Sequence, residues 1–395
     1  MDAYDLIQKT KEPIAFVLGR YFTTDLGVIR SLQKKNIPSI VLQSNNKSLT
    51  HYSRYYNGIR CPNAKNEEEK YVDFLIHLGK KLNNRGVLFP VGDIEVAVIF
   101  KHKSTLEEYF VFPPVDLNII EKLLNKQKFY ETIEQLHIPH PKTYILRNEA
   151  DLVTISNVLV YPCILKPVYS GSFQSDFKTK LFMIQSKEEL VKKYQVSALK
   201  NHEVIIQEII PGSVRDHFGF NAYYDRNGES NGSFMYQRIR EFPHNFGNGC
   251  FIESIWEPQL EDIITGLVKK IGYTGIIDAE FKKDTRDNEF KILEVNPRCW
   301  MQISLPTRCG VNFPYMAYMD VIGKDFEKQV FNGKHVKWLL SPEDIYSSLM
   351  YFRKKEMSIT QWIHSYRGER EYAIFSWNDP IPFFALATVM YEIYR

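Results

Sequence analysis

The chain has 395 residues, of which 44% are hydrophobic and 25% are charged, and its formal net charge is +3. This composition is typical of a globular protein with enough apolar material for two or three domains. Because the charges are mixed along the chain and form no basic run, we expect no nucleic-acid partner.

The cysteines and the chain ends indicate the compartment. The five cysteines are widely spaced and form no Cys-x-x-Cys pair, which argues against a zinc site and favours reduced thiols. The N-terminal sequence MDAYDLIQKTKEP carries charges where a signal peptide needs an apolar core. The longest apolar run, IPFFALATVMY, is about half the ~20 residues of a membrane helix. We expect a cytoplasmic protein with no integral membrane segment.

The first elements predict a parallel α/β domain. The runs IAFVLG (14–19), IPSIVLQ (37–43) and GVLFPVGD (86–93) read as buried strands, and helical patterns follow the first and the third. Alternating strands and helices indicate a parallel sheet, whose ligands bind at the carboxyl ends of the strands. Gly92 and Asp93 lie at such an end. No Gly-x-Gly-x-x-Gly motif supports a nicotinamide cofactor.

The middle of the chain changes character after Pro113-Pro114. Residues 116–137 are predicted to be helical, with Asp116 as N-cap. VLVYPCILKPVYSGSF (158–173) reads as a strand followed by a turn, and HEVIIQEIIPGS (202–213) as a strand followed by a Pro-Gly break. Asn227-Gly228 predicts a hairpin turn. A helix is expected at 258–271, and more helices after about residue 326.

The segment GIIDAEFKKDTRDNEFKILEVNPR (275–298) predicts a second hairpin. If the chain folds back about Asp287, Glu280 lies opposite Glu294 and Asp278 opposite Asn296. One face of the two strands is then apolar: Ile277, Ala279, Phe281, Leu293 and Val295. Facing carboxylates repel by about 1 kcal/mol or more, but a magnesium ion, which takes one or two carboxylates together with substrate phosphates, makes the pairing favourable.

The alternative interpretation of the hairpin is an exposed acidic face, with Lys282 and Lys291 as partial partners. A metal–phosphate site also needs cations and backbone donors. Lys166 at a strand end and the small residues of the turn 170–172 could supply them. Lys126 is a second candidate cation. Each is weak alone, because lysines at strand ends and on helices are commonly just solvated.

Taken in order, these segments resemble the ATP-grasp superfamily, and within it the carboxylate–amine ligases (D-aspartate ligase-like and carbamoyl-phosphate-synthetase-like). The matching motifs are NKQKF, IPHPKTY, ILKPVYSGS, IIQEIIPGS and DAEF…ILEVNPR, and the resemblance covers about residues 10–325. It implies a Rossmann-like α/β pre-ATP-grasp domain (1–115), a two-subdomain α+β ATP-grasp domain (116–325, lid about 140–210) and a C-terminal helical extension (326–395).

The resemblance also implies roles for individual residues. The predicted nucleotide site comprises Lys126, Lys166, Ser170, Gly171, Ser172, Gln207, Glu208, Ile209, Ile210 and Asp216, the last for the ribose. The predicted magnesium ligands are Glu280, Glu294 and Asn296, with Mn²⁺ as an alternative metal. Arg298 and Lys166 are expected to stabilise the transferred phosphoryl group. Asn125 stands where the family often has Asp, and the sequence after Arg298 identifies no acceptor.

The function implied is an ATP-dependent ligase that joins a small-molecule carboxylate to an amine through an acylphosphate, releasing ADP and phosphate. Candidate substrate residues are Arg238 and Arg240, which share a face in a regular strand, and Asp93. A homodimer remains open. The alternatives are a kinase or carboxylase on the same fold and a nucleotide-binding pseudo-enzyme.

Overall fold

The computed structural model describes residues 3–19, 22–45 and 48–389. The first part of the chain forms a five-stranded parallel sheet in the order β3-β2-β1-β4-β5. Its strands are β1 (Ala15–Leu18), β2 (Ser39–Gln43), β3 (Gly58–Arg60), β4 (Gly86–Pro90) and β5 (Phe110–Val111). Its helices are α1 (Ala3–Lys9), α2 (Phe22–Gln33), α3 (Glu68–Gly79), α4 (Asp93–Lys101) and α5 (Lys103–Leu106). The buried strands β1 and β2 carry continuous apolar runs, as expected for a parallel sheet covered on both faces.

Two helices lead into the next unit. They are α6 (Leu117–Leu124) and α7 (Lys126–Gln135). The helical region predicted over 116–137 consists of two helices, because the chain leaves helical geometry at Asn125. The side chain of Asn125 accepts a hydrogen bond from the Lys128 amide at 2.9 Å and so begins α7.

The second unit is a four-stranded antiparallel sheet in the order β6-β9-β7-β8. Its elements are β6 (Thr143–Ile145), α8 (Glu149–Ser156), β7 (Cys163–Pro167), α9 (Ser170–Phe177), β8 (Phe182–Ile184), α10 (Lys187–Leu199) and β9 (Val204–Glu208). It has an apolar core of its own, which includes Leu165, Phe173 and Ile206.

The third unit is a seven-stranded sheet in the order β14-β13-β10-β11-β12-β15-β16. Its strands are β10 (His217–Tyr224), β11 (Ser230–Phe242), β12 (Asn248–Ile255), β13 (Gly275–Lys283), β14 (Phe290–Asn296), β15 (Val336–Leu339) and β16 (Glu369–Tyr372). Its helices are α11 (Pro258–Ile271), α12 (Ser304–Arg308), α13 (Phe313–Val321), α14 (Ser341–Arg353), α15 (Ile359–Ser365) and α16 (Ile381–Phe384). The predicted helix at 258–271 and the turn at Asn227-Gly228 are therefore correct.

The segment after residue 326 corrects the expectation of a helical extension. It adds β15 to the edge of the sheet beside β12, and β16 pairs in parallel with β15. The buried Trp338 lies in β15. The C-terminal segment therefore completes the large sheet in addition to contributing helices.

The first and third units share cores. One apolar cluster contains Phe16 and Leu88 of the parallel sheet together with Phe281 and Val295 of the hairpin. This packing fixes the carboxyl ends of the first sheet next to the hairpin. Within the described residues no helix is long and apolar enough to cross a bilayer.

Candidate active site

The hairpin β13–β14 has the register that its sequence predicts. Glu280 pairs with Glu294 and Asp278 pairs with Asn296. Glu280 accepts a hydrogen bond from the Arg238 guanidinium of β11 at 2.6 Å. The two glutamates are partly buried, so the hairpin holds two neighbouring carboxylates away from bulk water.

The apolar face of the hairpin needs one correction. A bulge after the Glu280–Glu294 pair places Phe281 opposite Ile292, so Leu293 is the extra residue of β14. Ile292, with no exposed surface, lies in the core where the sequence pattern predicts Leu293. The Leu293 carbonyl instead accepts a hydrogen bond from the Tyr130 hydroxyl at 2.6 Å, which ties α7 to the hairpin.

Cations face the hairpin from two other parts of the chain. Lys166 is the last residue but one of β7 and donates to Gln207 at 2.8 Å, while Lys126 begins α7 and donates to Ser170 at 2.9 Å. Burial alone would raise the pKa of Glu294, but Lys126, Lys166 and Lys180 together lower it. Glu294 thus remains a carboxylate because lysines from across the cleft stabilise its charge.

For the pKa of Lys166, the effect of burial outweighs that of the neighbouring carboxylates. Burial lowers its pKa to about 8, the carboxylate of Glu294 opposes that shift, and Lys126 adds to it. Two lysines near each other without a full set of anions form a site of excess positive charge, which an anion such as a phosphate would relieve.

Residues 170–172 differ from the predicted turn. Ser170 to Phe177 form helix α9, and Ser170, Gly171 and Ser172 are its first turn. The amide groups of a first helical turn have no partner within the helix and bind anions. Backbone donors therefore remain available here, although helix geometry supplies them in place of a loop.

The strand β9 leads out of the lid through Gln207 and Glu208. Gln207 is buried and bridges Lys166 and Thr143, to which its amide donates at 2.8 Å. Glu208 accepts from the Lys142 amide at 2.8 Å and from Arg286 at 2.9 Å. These side chains are engaged with protein, and the Glu208 amide donates to the Lys142 carbonyl at 3.0 Å. The backbone that follows, at Ile209 and Ile210, is therefore the part of 207–210 that a base could meet.

Asp216 closes a capping box. One carboxylate oxygen accepts from the Ser213 amide at 2.6 Å and from the Ser213 hydroxyl at 3.0 Å. The ribose role assigned to Asp216 has to use its other oxygen.

Arg298 links the hairpin to the parallel domain. Its guanidinium donates to Asp93, the first residue of α4, at 2.5 Å and to the Asn296 side chain at 3.4 Å. The carboxyl end of β4 and the end of β14 therefore meet at this ion pair. Asp93 and Arg298, two residues predicted from different motifs, lie in one place.

Asp278 is a buried carboxylate of the same hairpin. Burial, with the neighbouring charge of Glu280, raises its pKa to about 7. Asn221 donates to one carboxylate oxygen at 2.8 Å and Asn296 to the other at 3.2 Å. Asp278 therefore holds the amide of Asn296 so that the amide oxygen points away from Asp278.

The two arginines of β11 do not share a face of the strand. β11 has an extra residue between Arg238 and Arg240, so the two side chains leave on opposite faces. Arg238 reaches Glu280, but Arg240 is buried against Asp344, with hydrogen bonds of 2.6 and 3.0 Å. The prediction of Arg240 as a substrate residue is wrong, because its guanidinium is neutralised inside the fold.

Comparisons with known proteins find similar sequences among ligases. The chain is 28% identical over 329 residues to a D-aspartate ligase of Enterococcus faecium (strain Aus0004), which covers 78% of this chain and 77% of the relative. It is 25% identical over 190 residues to a D-alanine–D-alanine ligase of Pseudomonas fluorescens (strain Pf0-1), covering 45% and 53%. No family model matches.

Among solved structures, the biotin carboxylase domain dimer of the 2-oxoglutarate carboxylase of Hydrogenobacter thermophilus, in complex with MgADP, ADP and bicarbonate, superposes with a TM-score of 0.62. The identity is 17%, and the match covers 79% of this chain and 70% of that chain. In sequence and fold, the chain is similar to ATP-grasp ligases of the carboxylate–amine type. It is an ATP-dependent ligase that forms a carbon–nitrogen bond.

The donor set of the hairpin fits the magnesium of an ATP-grasp enzyme. The set is two carboxylates and one amide oxygen, and Mg²⁺ commonly takes one or two carboxylates and completes its octahedron with phosphates and water. The described residues contain no group of three or more His, Cys, Asp or Glu side chains placed to hold a metal. Neither carboxylate oxygen of Glu294 has a hydrogen-bond partner among those residues, although lysines surround it.

One residue near the ATP-grasp site is not predictable from the sequence. Lys180, between α9 and β8, lowers the pKa of both Glu294 and Lys166 and donates to Asn248 at 2.5 Å. It belongs to no motif and is one of 50 Lys and Arg residues, so only the folded chain distinguishes it.

Proposed function

We propose that this ligase activates a carboxylate of one small molecule as an acylphosphate and joins it to the amine of another, with ADP and phosphate as products. The observation that carries the proposal is the Glu280–Glu294 pair, which faces Lys126 and Lys166 across a cleft. Carboxylates and lysines in that arrangement suit a nucleotide triphosphate with its metal, because each charge type then has its complement in the ligand.

The nucleotide roles follow the arrangement of the cleft. Lys126 and Lys166 bind phosphate oxygens, and the first turn of α9, residues 170–172, donates backbone amides to them. The backbone of 207–210 receives the adenine edge, and Asp216 binds the ribose. Gln207 holds Lys166 by its hydrogen bond of 2.8 Å, so it orients that cation before the nucleotide arrives.

Glu280, Glu294 and Asn296 hold the magnesium ions in this proposal. When bound, Mg²⁺ neutralises charge on the phosphates. Arg238 sets the position of Glu280, and Asp278 sets the amide of Asn296, so both donors are oriented by protein groups. Ordered ligands of this kind reduce the reorganisation that accompanies phosphoryl transfer.

The reacting carboxylate is expected beside Arg298. A free carboxylate is a poor electrophile, and phosphorylation converts its oxygen into a leaving group. An arginine can hold the carboxylate and then the developing phosphate charge. Asp93 keeps Arg298 pointed into the cleft through their 2.5 Å contact, and we assign it to the border of the acceptor pocket.

We assign the substrates to the class of amino acids and small amines, since the two curated relatives are named for ligases of D-amino acids. We also place the enzyme in the cytoplasm, where ATP is available and cysteines stay reduced. A homodimer is part of this proposal only by analogy with the dimeric neighbour.

The test is a phosphate-release screen with purified full-length protein and MgATP. D- and L-amino acids are offered in pairs, with each other, with sugar acids and with small amines. Release of ADP and phosphate that requires both an acid and an amine is the expected result. Bicarbonate-dependent hydrolysis would identify a carboxylase, and nucleotide binding without turnover on any pair would favour a sensor.

A further inference from the structure

A cavity of about 300 Å³ lies at the carboxyl ends of β2 and β3, outside the nucleotide cleft. Its lining consists of Gln43, Asn45, His51, Tyr56, Ile59 and Arg60. The carboxyl ends of parallel strands are where open α/β sheets bind ligands. The nucleotide roles proposed for the cleft use none of these residues.

Gln43 lines this cavity and has an unused acceptor. It is only 5% exposed, and its side-chain oxygen has no hydrogen-bond partner among the described residues. The side-chain nitrogen donates to the Asp25 carboxylate at 2.8 Å. Because an ionised carboxylate can only accept, this contact fixes which end of the amide is oxygen. The free oxygen therefore calls for a donor from a ligand.

Gly19 makes room for this arrangement. A Cβ at Gly19 would lie 2.7 Å from the Gln43 side chain and 2.9 Å from the Asp25 carboxylate. Any other residue at this position would push the amide out of place, so the local backbone is built around the Gln43–Asp25 contact.

Arg60 supplies the opposite chemistry. It pairs with Gln43 in the register of β2 and β3, so the two side chains leave neighbouring strands on one face. Arg60 is exposed and has no hydrogen bond or ion pair in the described part of the chain. A free guanidinium next to an unused amide oxygen suits a ligand with both an anionic group and an N–H or O–H donor.

The cavity lies along the same edge of the parallel sheet as the reaction centre. β2 is separated from β4 by one strand, so Gln43 lies roughly 10 Å along the sheet edge from the start of α4 and Asp93. The loop after β3 also reaches the lid, since Lys65 donates to Ser175 of α9 at 2.9 Å. A molecule seated at Arg60 can thus extend toward Arg298.

We propose that the cavity at the ends of β2 and β3 binds the recognition end of one of the two ligated substrates. That end carries a carboxylate or phosphate, bound by Arg60, and a hydrogen-bond donor, bound by Gln43. This inference rests on the proposed function and adds to it that the substrate is selected by a charged group roughly 14 Å, three strand spacings, from the group that reacts.

The probes are aspartate and O-phosphoserine, each in D and L forms, titrated calorimetrically into full-length protein. Both carry an ammonium donor, and their anions distinguish a carboxylate from a phosphate. We expect saturable binding of one of them and weakening by about 10- to 100-fold in Arg60→Met, with recovery in Arg60→Lys. Arg85→Met is the matched control, because Arg85 is exposed directly before β4, at the amino ends of the strands of the same sheet.

Kinetics give a second readout. Once a substrate pair is found, Arg60→Met should raise KM for one of the two ligated substrates by a similar factor and leave kcat within about twofold. Gln43→Leu should act on the same substrate. No saturable binding of any probe by the wild-type protein, or equal binding and equal KM in Arg60→Met, would overturn the proposal.

Failure of the two proposals can be distinguished. If no acid–amine pair is ligated but probe binding still depends on Arg60, the anion site stands and the ligase assignment fails. If ligation proceeds with Arg60→Met indistinguishable from Arg85→Met, the ligase assignment stands and this cavity is not its substrate site.

Discussion

Arg238 and Arg240 lie two residues apart in β11, are both buried, and both pair with carboxylates, yet their surroundings differ. Arg240 donates two hydrogen bonds to Asp344 and a third to Ser365. Its guanidinium carbon lies 4.7 and 5.2 Å from the ring centres of Phe251 and Tyr366. That cluster is complete within the protein. Arg238 donates to Glu241 and to the Gly247 carbonyl, and it also reaches Glu280 in the cleft. The neighbour of Glu280, Glu294, has lysines at a distance and no hydrogen bond in the described residues.

The comparison teaches how a buried charge can be classified. Where the partners come from adjacent elements and satisfy every donor, the cluster stabilises the fold. Where opposite charges face each other across a cleft between two sheets, without contact, a ligand has to complete them. The first kind should affect stability when it is altered, and the second should affect catalysis.

The largest effect is expected from Arg240→Met. It leaves Asp344 buried without its main partner, and removing one member of a buried pair costs about 3–5 kcal/mol of unfolding free energy. Urea denaturation measures it. Arg353→Met, an exposed arginine of α14, should cost less than about 0.5 kcal/mol.

The double variant Arg240→Met/Asp344→Leu sharpens this result, because it removes both charges. It should recover a substantial part of the lost stability. If the double variant is less stable than Arg240→Met, Asp344 stabilises the fold through an interaction that does not involve Arg240.

Glu294→Gln should show the opposite profile. We expect kcat to fall by about 100-fold, since even groups that only orient metal ligands are worth 10- to 100-fold, while the unfolding free energy changes by about 1 kcal/mol or less. The control is Glu289→Gln on the same hairpin, whose side chain is exposed and pairs with Lys291. A Glu294→Gln protein with full activity and low stability would place this residue with the Arg240 cluster.

How far the sequence reveals this division depends on how local the signal is. The Glu280–Glu294 pairing is predictable, because period-two alternation about a turn fixes it. The bulges at Leu293 and between Arg238 and Arg240 are not, because one extra residue leaves the local pattern unchanged while it reverses the facing of the residues beyond it. The assignment of Arg240 failed for that reason.

Short strands are missed for a related reason. β15 and β16 have four residues each, and β15 is held by β12, some 80 positions earlier in the chain. Their pairing is specified by an edge that the sequence does not display locally. In the same way, the start of α9 resembles a turn because Ser-Gly-Ser is a turn signal, and the helix is stabilised by Phe173 in the lid core.

The pH dependence of nucleotide binding tests the cleft directly. Burial lowers the pKa of Lys166 to about 8, so the free protein loses this cation as the pH rises above 8. Affinity for MgATP should then fall, approaching tenfold per pH unit, and binding at pH 9 should take up a proton. In Lys166→Arg, which stays charged, the decline should vanish. Parallel curves for the two proteins would show that Lys166 is not the phosphate cation.

The lowered pKa of Lys166 also makes the free energy of unfolding depend on pH. The folded pKa lies below the unfolded value of about 10.4, so the charged lysine destabilises the folded state below pH 8, and stability rises as the pH increases from about 8 to 10.4. Lys166→Met should therefore be at least as stable as the parent at pH 7, in contrast with Arg240→Met. A stabilised protein that binds no nucleotide is the outcome that a ligand-completed site predicts.

The smallest effect is expected from Lys180→Ala. This variant tests whether Lys180 is part of the nucleotide site. Lys180 is exposed and acts on Glu294 only through its field, so its loss should raise KM for ATP by about two- to fivefold, as for a surface ion pair. Lys187→Ala, an exposed lysine of the same sheet unit that bonds Asn157, should change nothing. Raising the ionic strength should shrink the difference between the two variants, because solvent ions screen the exposed charge of Lys180 more than the charge of the half-buried Lys166. A salt-independent loss would mean that Lys180 contacts the nucleotide, and that the lid contributes two of the three cations of the site.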